Sequence, residues 1–315
     1  MEKEDGQRIL NKEQVDLLIS RRLHQHRPES WEDDISRYND DHEPFQNGPR
    51  AIELLGTQKR YGNTDLSDDE LMEFAKRDVA PLPDVQDREG YGVKRDLSYW
   101  ISGLNDYLKV MELIERQQLE VERMLDFGCA SGRVLRHFAA QTDIGEIWGS
   151  DINARHIRWL CENLPRNVKP IANHSIPQLP IADHYFDLIT SFSVFTHIDT
   201  FELCWLAELK RILKPGGIAY ITVHNEDTWR QLRSDSENKN NRLIQAMIEI
   251  DPESKQKLAE EMPNGKTVYR FTNHGPYRAH VFHSNSYIEN VWGRFFNVED
   301  ILPCHHARQS VVLMR

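Results

Sequence analysis

Leu125-Asp126-Phe127-Gly128-Cys129-Ala130-Ser131-Gly132-Arg133-Val134 joins an apolar run, Val121–Phe127, to a stretch of helical periodicity, Arg133–Ala140, through a turn with two glycines. This reads as strand, tight turn and helix. Glycines let the backbone turn sharply and approach a ligand closely, and a helix N-terminus presents free amides to it. The next apolar run, Ile147–Ser150, ends at Asp151, 25 positions after Asp126. In nucleotide-binding α/β folds a carboxylate there accepts hydrogen bonds from both ribose hydroxyls. The competing reading is a helix N-cap ahead of Asn153-Ala154.

Working outward, the spacing predicts a helix over Ala154–Asn163 and strands over 169–172 and Phe186–Ser191. A helix over 200–213 follows, stopped by Lys214-Pro215-Gly216-Gly217, and then a strand over Ile218–Val223. Strands and helices alternating at this length imply a parallel sheet covered on both faces, an α/β fold of Rossmann-like form. Phe296–Ile301 and Ser310–Met314 are two strands with a short connection, hence an antiparallel pair at the sheet's edge. Residues 228–292 interrupt the alternation, with more helix than strand. Upstream, 12–26 has the spacing of a surface helix, and 27–95 reads as loops with short helices such as 67–77. A helix from Tyr99-Trp100-Ile101 to Leu113-Ile114 leads into the core. The expected organisation is a cap of helices and loops over 1–95 and one domain over 96–315, with its insertion at about 228–292.

The whole chain bounds the function. Its 315 residues carry a formal net charge of -11, which disfavours binding to nucleic acid phosphates. The start, Met1-Glu2-Lys3-Glu4-Asp5, lacks the apolar stretch of a secretory signal, and no run approaches membrane-spanning length. Cys129, Cys161, Cys204 and Cys304 form no CxxC pair, so neither a metal site nor a disulfide framework is expected, and a reducing cytoplasm fits.

Residues 121–223 resemble the core of class I S-adenosylmethionine-dependent methyltransferases. The resemblance is carried, in order, by 125–134, Gly149-Ser150-Asp151-Ile152, Leu179-Pro180-Ile181 with Phe186-Asp187-Leu188-Ile189, Ser193-Val194-Phe195-Thr196-His197-Ile198, and Glu208-Leu209-Lys210-Arg211-Ile212-Leu213-Lys214-Pro215-Gly216-Gly217. Five ordered pieces over about 100 residues are far more specific than any one of them. The resemblance implies a seven-stranded, mostly parallel sheet with one antiparallel edge strand, and S-adenosylmethionine as cofactor. The tail, Tyr287-Ile288 and Val291-Trp292-Gly293-Arg294-Phe295-Phe296, more loosely resembles a bacterial subgroup associated with glycans and secondary metabolites.

By resemblance, Asp126, Gly128, Cys129, Ala130 and Gly132 line the methionine side of the cofactor, and Asp151 with Ile152 the ribose and adenine. Ser191 and Phe192 border the transferred methyl. Two departures stand out. Ala130 replaces the family's usual glycine, and Asn173-His174-Ser175 stands where an acidic residue often binds the adenine amino group, so Asn173, His174 or a backbone group takes that role. The acceptor is expected to be a small hydroxylated molecule, a sugar or secondary metabolite, methylated on oxygen with a histidine removing the proton. The candidate bases are His224, His197 and His283, with His224 first. Tyr277, His280, Phe282, His283 and Tyr287 mark the insertion as part of the acceptor pocket, and Tyr91, Tyr99 and Trp100 face the core from the cap. Two other readings stay open. A silent cofactor-binding scaffold would share the motifs, and a nicotinamide oxidoreductase would share the turn but normally shows G-x-G-x-x-G.

Overall fold

A computed structural model describes residues 44–57, 64–89, 91, 95–238, 240–270 and 279–315. The expected helix at 12–26 and Tyr277 lie outside the described residues. In chain order the elements are α1 (Ala51–Leu54), α2 (Asp68–Arg77), α3 (Asp96–Arg116), β1 (Arg123–Phe127), α4 (Leu135–Gln141), β2 (Glu146–Asp151), α5 (Ala154–Asn163) and β3 (Val168–Ala172). Then come β4 (Phe186–Ser191), α6 (Glu202–Ile212), β5 (Leu213–Val223), α7 (Glu226–Ser234), α8 (Arg242–Ile250), α9 (Ser254–Ala259), β6 (Lys266–Arg270), β7 (Ala279–His283), α10 (Asn285–Val291), β8 (Val298–His306) and β9 (Gln309–Met314).

Seven strands form one sheet in the order β3-β2-β1-β4-β5-β9-β8. β1 to β5 pair in parallel, while β9 runs antiparallel to both β5 and β8. The expected architecture is therefore present, with one refinement: the antiparallel strand is β9, one place in from the edge, and β8 forms the edge itself. β4 is buried at every position, as a central parallel strand covered on both faces must be. One face packs Leu104, Phe138, Trp159 and Tyr220, the other Trp205, Leu209, Trp292 and Met314.

Two boundaries differ from the sequence expectation. Lys214–Gly217 does not only stop α6 at Ile212; it lies within β5 as an irregularity, since Leu213 pairs with Phe186 and pairing resumes at Ile218 opposite Leu188. Gly217 permits this, because a side chain there would meet the Asp187 carbonyl at 2.9 Å. Among its described residues the insertion carries α7 to α10, in line with the helical bias of its composition, but also an antiparallel hairpin of β6 and β7.

The segments before β1 are tied to the core by buried charge. Arg136 on α4 donates Nε to Asp78 Oδ2 at 2.6 Å, and Trp100 Nε1 donates to the same oxygen at 2.8 Å. Ser67 caps α2 with Glu70 reciprocating, the capping box that the expected 67–77 helix needs. No helix among the described residues is long and apolar enough to cross a membrane.

Candidate functional site

A cavity of about 340 Å³ opens at the C-terminal ends of β1, β2 and β4. There the strand order reverses direction between β1 and β4, the place where open α/β sheets bind ligands. Its floor is Asp126, Gly128, Cys129 and Ala130 from the turn after β1, with Asp151 and Ile152 from the end of β2. Asn173, Phe192 and His197 also line it. Arg88, Glu89 and Tyr91 bound it from the segment before α3, and Ile198–Phe201 with Trp205 form the opposite wall.

The turn is built by unusual backbone. Gly128, Ala130 and Gly132 all have left-handed φ, 76°, 45° and 75°. At Gly128 a side chain would also lie 2.1 Å from Val194 Cγ2, so only glycine brings β1 and the loop after β4 this close. The amides of this turn are not free, contrary to what the motif suggests. Gly128 N and Cys129 N donate to Ser150 O at 2.7 and 3.0 Å, and Ala130 N donates to Asp151 Oδ2 at 2.8 Å. Asn153 N holds Oδ1 of Asp151 at 2.8 Å, so both carboxylate oxygens are oriented by backbone. Asp126, buried beside it, accepts from Thr190 Oγ1 at 2.9 Å. Burial pushes its carboxyl up to about 7, and the hydrogen bond from Thr190 and the charge of Arg133 only partly offset this. The floor thus offers two carboxylates and few donors.

Asn173 adds a specific feature. Its Nδ2 donates to the His174 carbonyl at 2.9 Å, which fixes the amide orientation, and its Oδ1 is buried with no partner among the described residues. A buried, unpaired acceptor costs free energy unless a ligand donor meets it.

Three residues that the motif placed at the cofactor do not line the cavity. Gly132 turns toward α5, where a side chain would sit 2.7 Å from Leu160 Cδ2, so its role is close packing. Ser191 is buried at the end of β4, and His174 gives way to Ser175 on the lining.

Of the three candidate bases, His197 lines the cavity and the other two do not. His197 Nδ1 lies 2.8 Å from the Ala279 carbonyl, and burial pushes its pKa below the usual imidazole range. His224 is buried under Phe282, with ring centroids 5.0 Å apart. Burial, followed by the charge of neighbouring His197, pushes its pKa well down. His283 lies with Nε2 3.2 Å from Glu202 Oε1, in a cluster completed by Lys266 Nζ (2.7 Å from Oε2) and Trp292 Nε1 (2.5 Å from Oε1). That cluster docks the β6–β7 hairpin onto α6. The position of His224 after β5 was legible in the sequence, but its covering by β7 was not.

The sequence reading did not single out Asp106 or His306, and it named Ser193 only as part of a stretch, without a role; Ser193 completes the group. They gather beside Tyr91 at one wall: Tyr91 Oη lies 2.9 Å from Ser193 Oγ and 3.2 Å from His306 Nε2, and His306 Nδ1 lies 2.9 Å from Asp106 Oδ1. The separation of 200 positions between Asp106 and His306 leaves no local signal to find.

Residues 125–221 match the family described as methyltransferase domain. A ubiquinone/menaquinone biosynthesis C-methyltransferase UbiE of Cupriavidus metallidurans is 30% identical over 148 residues, 45% of this chain and 58% of that protein. A homologue from Cupriavidus pinatubonensis is 29% identical over the same shares. The chain thus spans a little over half the length of the curated relatives it matches. Among solved structures, Burkholderia thailandensis 1,6-didemethyltoxoflavin-N1-methyltransferase is similar over 81% of this chain and 92% of its own, at 14% identity and a TM-score of 0.46. An S-adenosylmethionine-dependent methyltransferase from Clostridium acetobutylicum covers 69% and 90%, at 15% identity and a TM-score of 0.43. Residues 125–221, which carry the glycine turn and the acidic floor, are thus similar to the family described as methyltransferase domain.

Proposed function

We propose that the cavity holds S-adenosylmethionine and that the protein transfers its methyl group to a small hydroxylated acceptor in the cytoplasm. The observation that carries this reading is the acidic floor. With the amides of residues 128–130 engaged and Asp126 and Asp151 side by side, the site suits a cation bearing a ribose and disfavours a pyrophosphate. That weighs against the nicotinamide alternative. Asp151 would hold the ribose, Ile152 the adenine face and Asn173 Oδ1 the adenine amino group. Gly128, Cys129 and Ala130 would admit the methionine end beside Asp126.

The cofactor supplies an electrophilic methyl group on a sulfonium, which departs as a neutral sulfide. The protein's share is to orient the acceptor, exclude water and take up a proton. Phe192 and His197 would contact the acceptor, and a histidine would assist deprotonation. Residues 1–95 would act as a cap, supported by Arg88, Glu89 and Tyr91 at the cavity. The insertion at 228–292 would shape the acceptor side, supported by the His280 ring 5.4 Å from that of His197. The name of the curated relatives supports a second reading, transfer to a carbon atom.

Incubation with tritium-labelled methyl donor, followed by fractionation, tests the proposal. Label is expected in small hydroxylated products, with oxygen or carbon attachment read by NMR. Label confined to nucleic acid, or no transfer by protein that binds the cofactor, would replace it with another acceptor or with the silent scaffold.

A further inference from the structure

The cavity wall toward α3 holds a continuous chain of polar side chains drawn from distant parts of the sequence. Asp106 Oδ1 lies 2.9 Å from His306 Nδ1, and its Oδ2 accepts from Arg133 Nη1 at 2.6 Å. A carboxylate only accepts, so His306 donates through Nδ1 and keeps a lone pair on Nε2. Tyr91 Oη, 3.2 Å away, is the donor that meets that lone pair. Gln309 Nε2 donates to Ser193 Oγ at 2.9 Å, and the Ser193 hydroxyl proton faces two acceptors, Gln309 Oε1 at 3.2 Å and Tyr91 Oη at 2.9 Å. With the Tyr91 proton directed at His306, the shorter contact to Tyr91 takes it. One acceptor position then remains on Oη, and Tyr91 lines the cavity. The Arg133 guanidinium lies over the Tyr91 ring, 4.2 Å from its centroid, and holds the ring against this wall.

We infer that the acceptor's proton leaves through Tyr91 to His306, with Asp106 holding the imidazolium that results. The inference rests on the methyl-transfer reading above. The balance is simple. The acceptor O–H bond breaks and its proton binds Tyr91 Oη, while the Tyr91 proton passes to His306 Nε2. The acceptor oxygen keeps the electron pair it needs to attack the methyl carbon. Tyr91 is the catalytic residue here, and His306 and Asp106 are positioning residues that act through it. Around His306 stand Asp106 from α3, Arg133 ahead of α4, Tyr91, and His224 after β5. Lys109 on α3 donates to the adjacent His305 carbonyl. Arg133 and Asp106 neutralise each other, so one proton on His306 leaves a single positive charge beside a carboxylate. Burial disfavours that carboxylate, yet Arg133 and His306 hold Asp106 well below the usual range. A clamp serving only to hold the β8–β9 pair would not need a hydroxyl of Tyr91 in the cavity.

Nitrogen-15 histidine labelling of the full chain tests this without an acceptor. His306, identified by its loss in His306→Gln, is expected to show a bare Nε2 and a protonated Nδ1 in its neutral form. Tyr91→Phe should move the Nε2 resonance. An Nε2–H tautomer would overturn the inference. The second arm uses tritium-labelled donor with a pool of hydroxylated aromatic and sugar metabolites. Tyr91→Phe should lower turnover by about 10²-fold or more with S-adenosylhomocysteine affinity and melting temperature retained. Full turnover in Tyr91→Phe would also overturn it. If wild-type protein transfers nothing to this pool, the tautomer decides. Failure of wild-type protein to bind S-adenosylhomocysteine would instead sink the parent reading.

Discussion

Replacing Asn173 with leucine, close to it in shape, separates binding from stability with opposite signs. In the ligand-free protein Oδ1 is buried without a partner, and such a group costs about 1–3 kcal/mol. Leucine removes that cost but also loses the Nδ2 donation to the His174 carbonyl, worth about 0.5–1.5 kcal/mol. The net effect on unfolding should therefore lie between a loss of about 0.5 and a gain of about 2.5 kcal/mol. Binding moves the other way. An adenine amino group would enter the cavity without its acceptor and lose about 1–3 kcal/mol, roughly 5- to 150-fold in Kd. Denaturant unfolding and calorimetry with S-adenosylhomocysteine, on wild type and Asn173→Leu, read both quantities. A variant clearly less stable than wild type yet with the same Kd would refute the reasoning, because Asn173 would then be structural.

Three further outcomes follow from the same geometry. Burial raises Asp126 to about 7, so below that pH it is protonated and neutral. Affinity for the cationic cofactor should rise from pH 6 to 8, with proton release near neutrality, and calorimetry in buffers of different ionisation enthalpy would show a pH-independent Kd if this is mistaken. Gly128→Ala places a side chain 2.1 Å from Val194 Cγ2 at a left-handed φ, so stability should fall by about 1–3 kcal/mol and cofactor binding should be lost; wild-type melting and Kd would contradict the close-approach argument. At Glu202, burial opposes ionisation, but His283 and Lys266 outweigh it and bring the carboxyl down to about 2. A depressed carboxyl stabilises above its unfolded value and loses that stability as pH falls through the folded one. Wild type should thus lose a contribution between about pH 4.5 and 2 that Glu202→Gln lacks, and parallel acid-unfolding curves would count against the cluster.

What the sequence revealed depended on how local the cause was. The strand and helix periods from β1 to β5 are set by neighbours in the chain, and all of those elements except β5 fall within two residues of their expected ends. The Lys214–Gly217 segment shows the limit. Proline and glycine mark a helix stop, but only the pairing of Leu213 with Phe186 shows that the chain re-enters the sheet at once. The β6–β7 hairpin was masked by the helices around it, although Thr267, Val268 and Tyr269 carry a strand bias. At the site, Gly128 and Gly132 look alike in the motif, yet one approaches Val194 beside the cavity and the other packs on Leu160. Which histidine faces the cavity depends on β7 crossing above His224, and the Asp106–His306 contact joins residues that only the closed sheet brings together.

The central claim, that the cavity over Asp126 and Asp151 is the cofactor site, is tested most directly by calorimetric titration of S-adenosylhomocysteine into wild type and Asp151→Asn. Asparagine keeps the size, but one of the two amides that now donate to the carboxylate must face its NH₂ group, and the charged acceptor for the ribose is gone. The account predicts one ligand per chain for wild type and a loss of about 1.5–3 kcal/mol in the variant. Equal affinity in the two proteins, or no heat of binding in wild type, would contradict it.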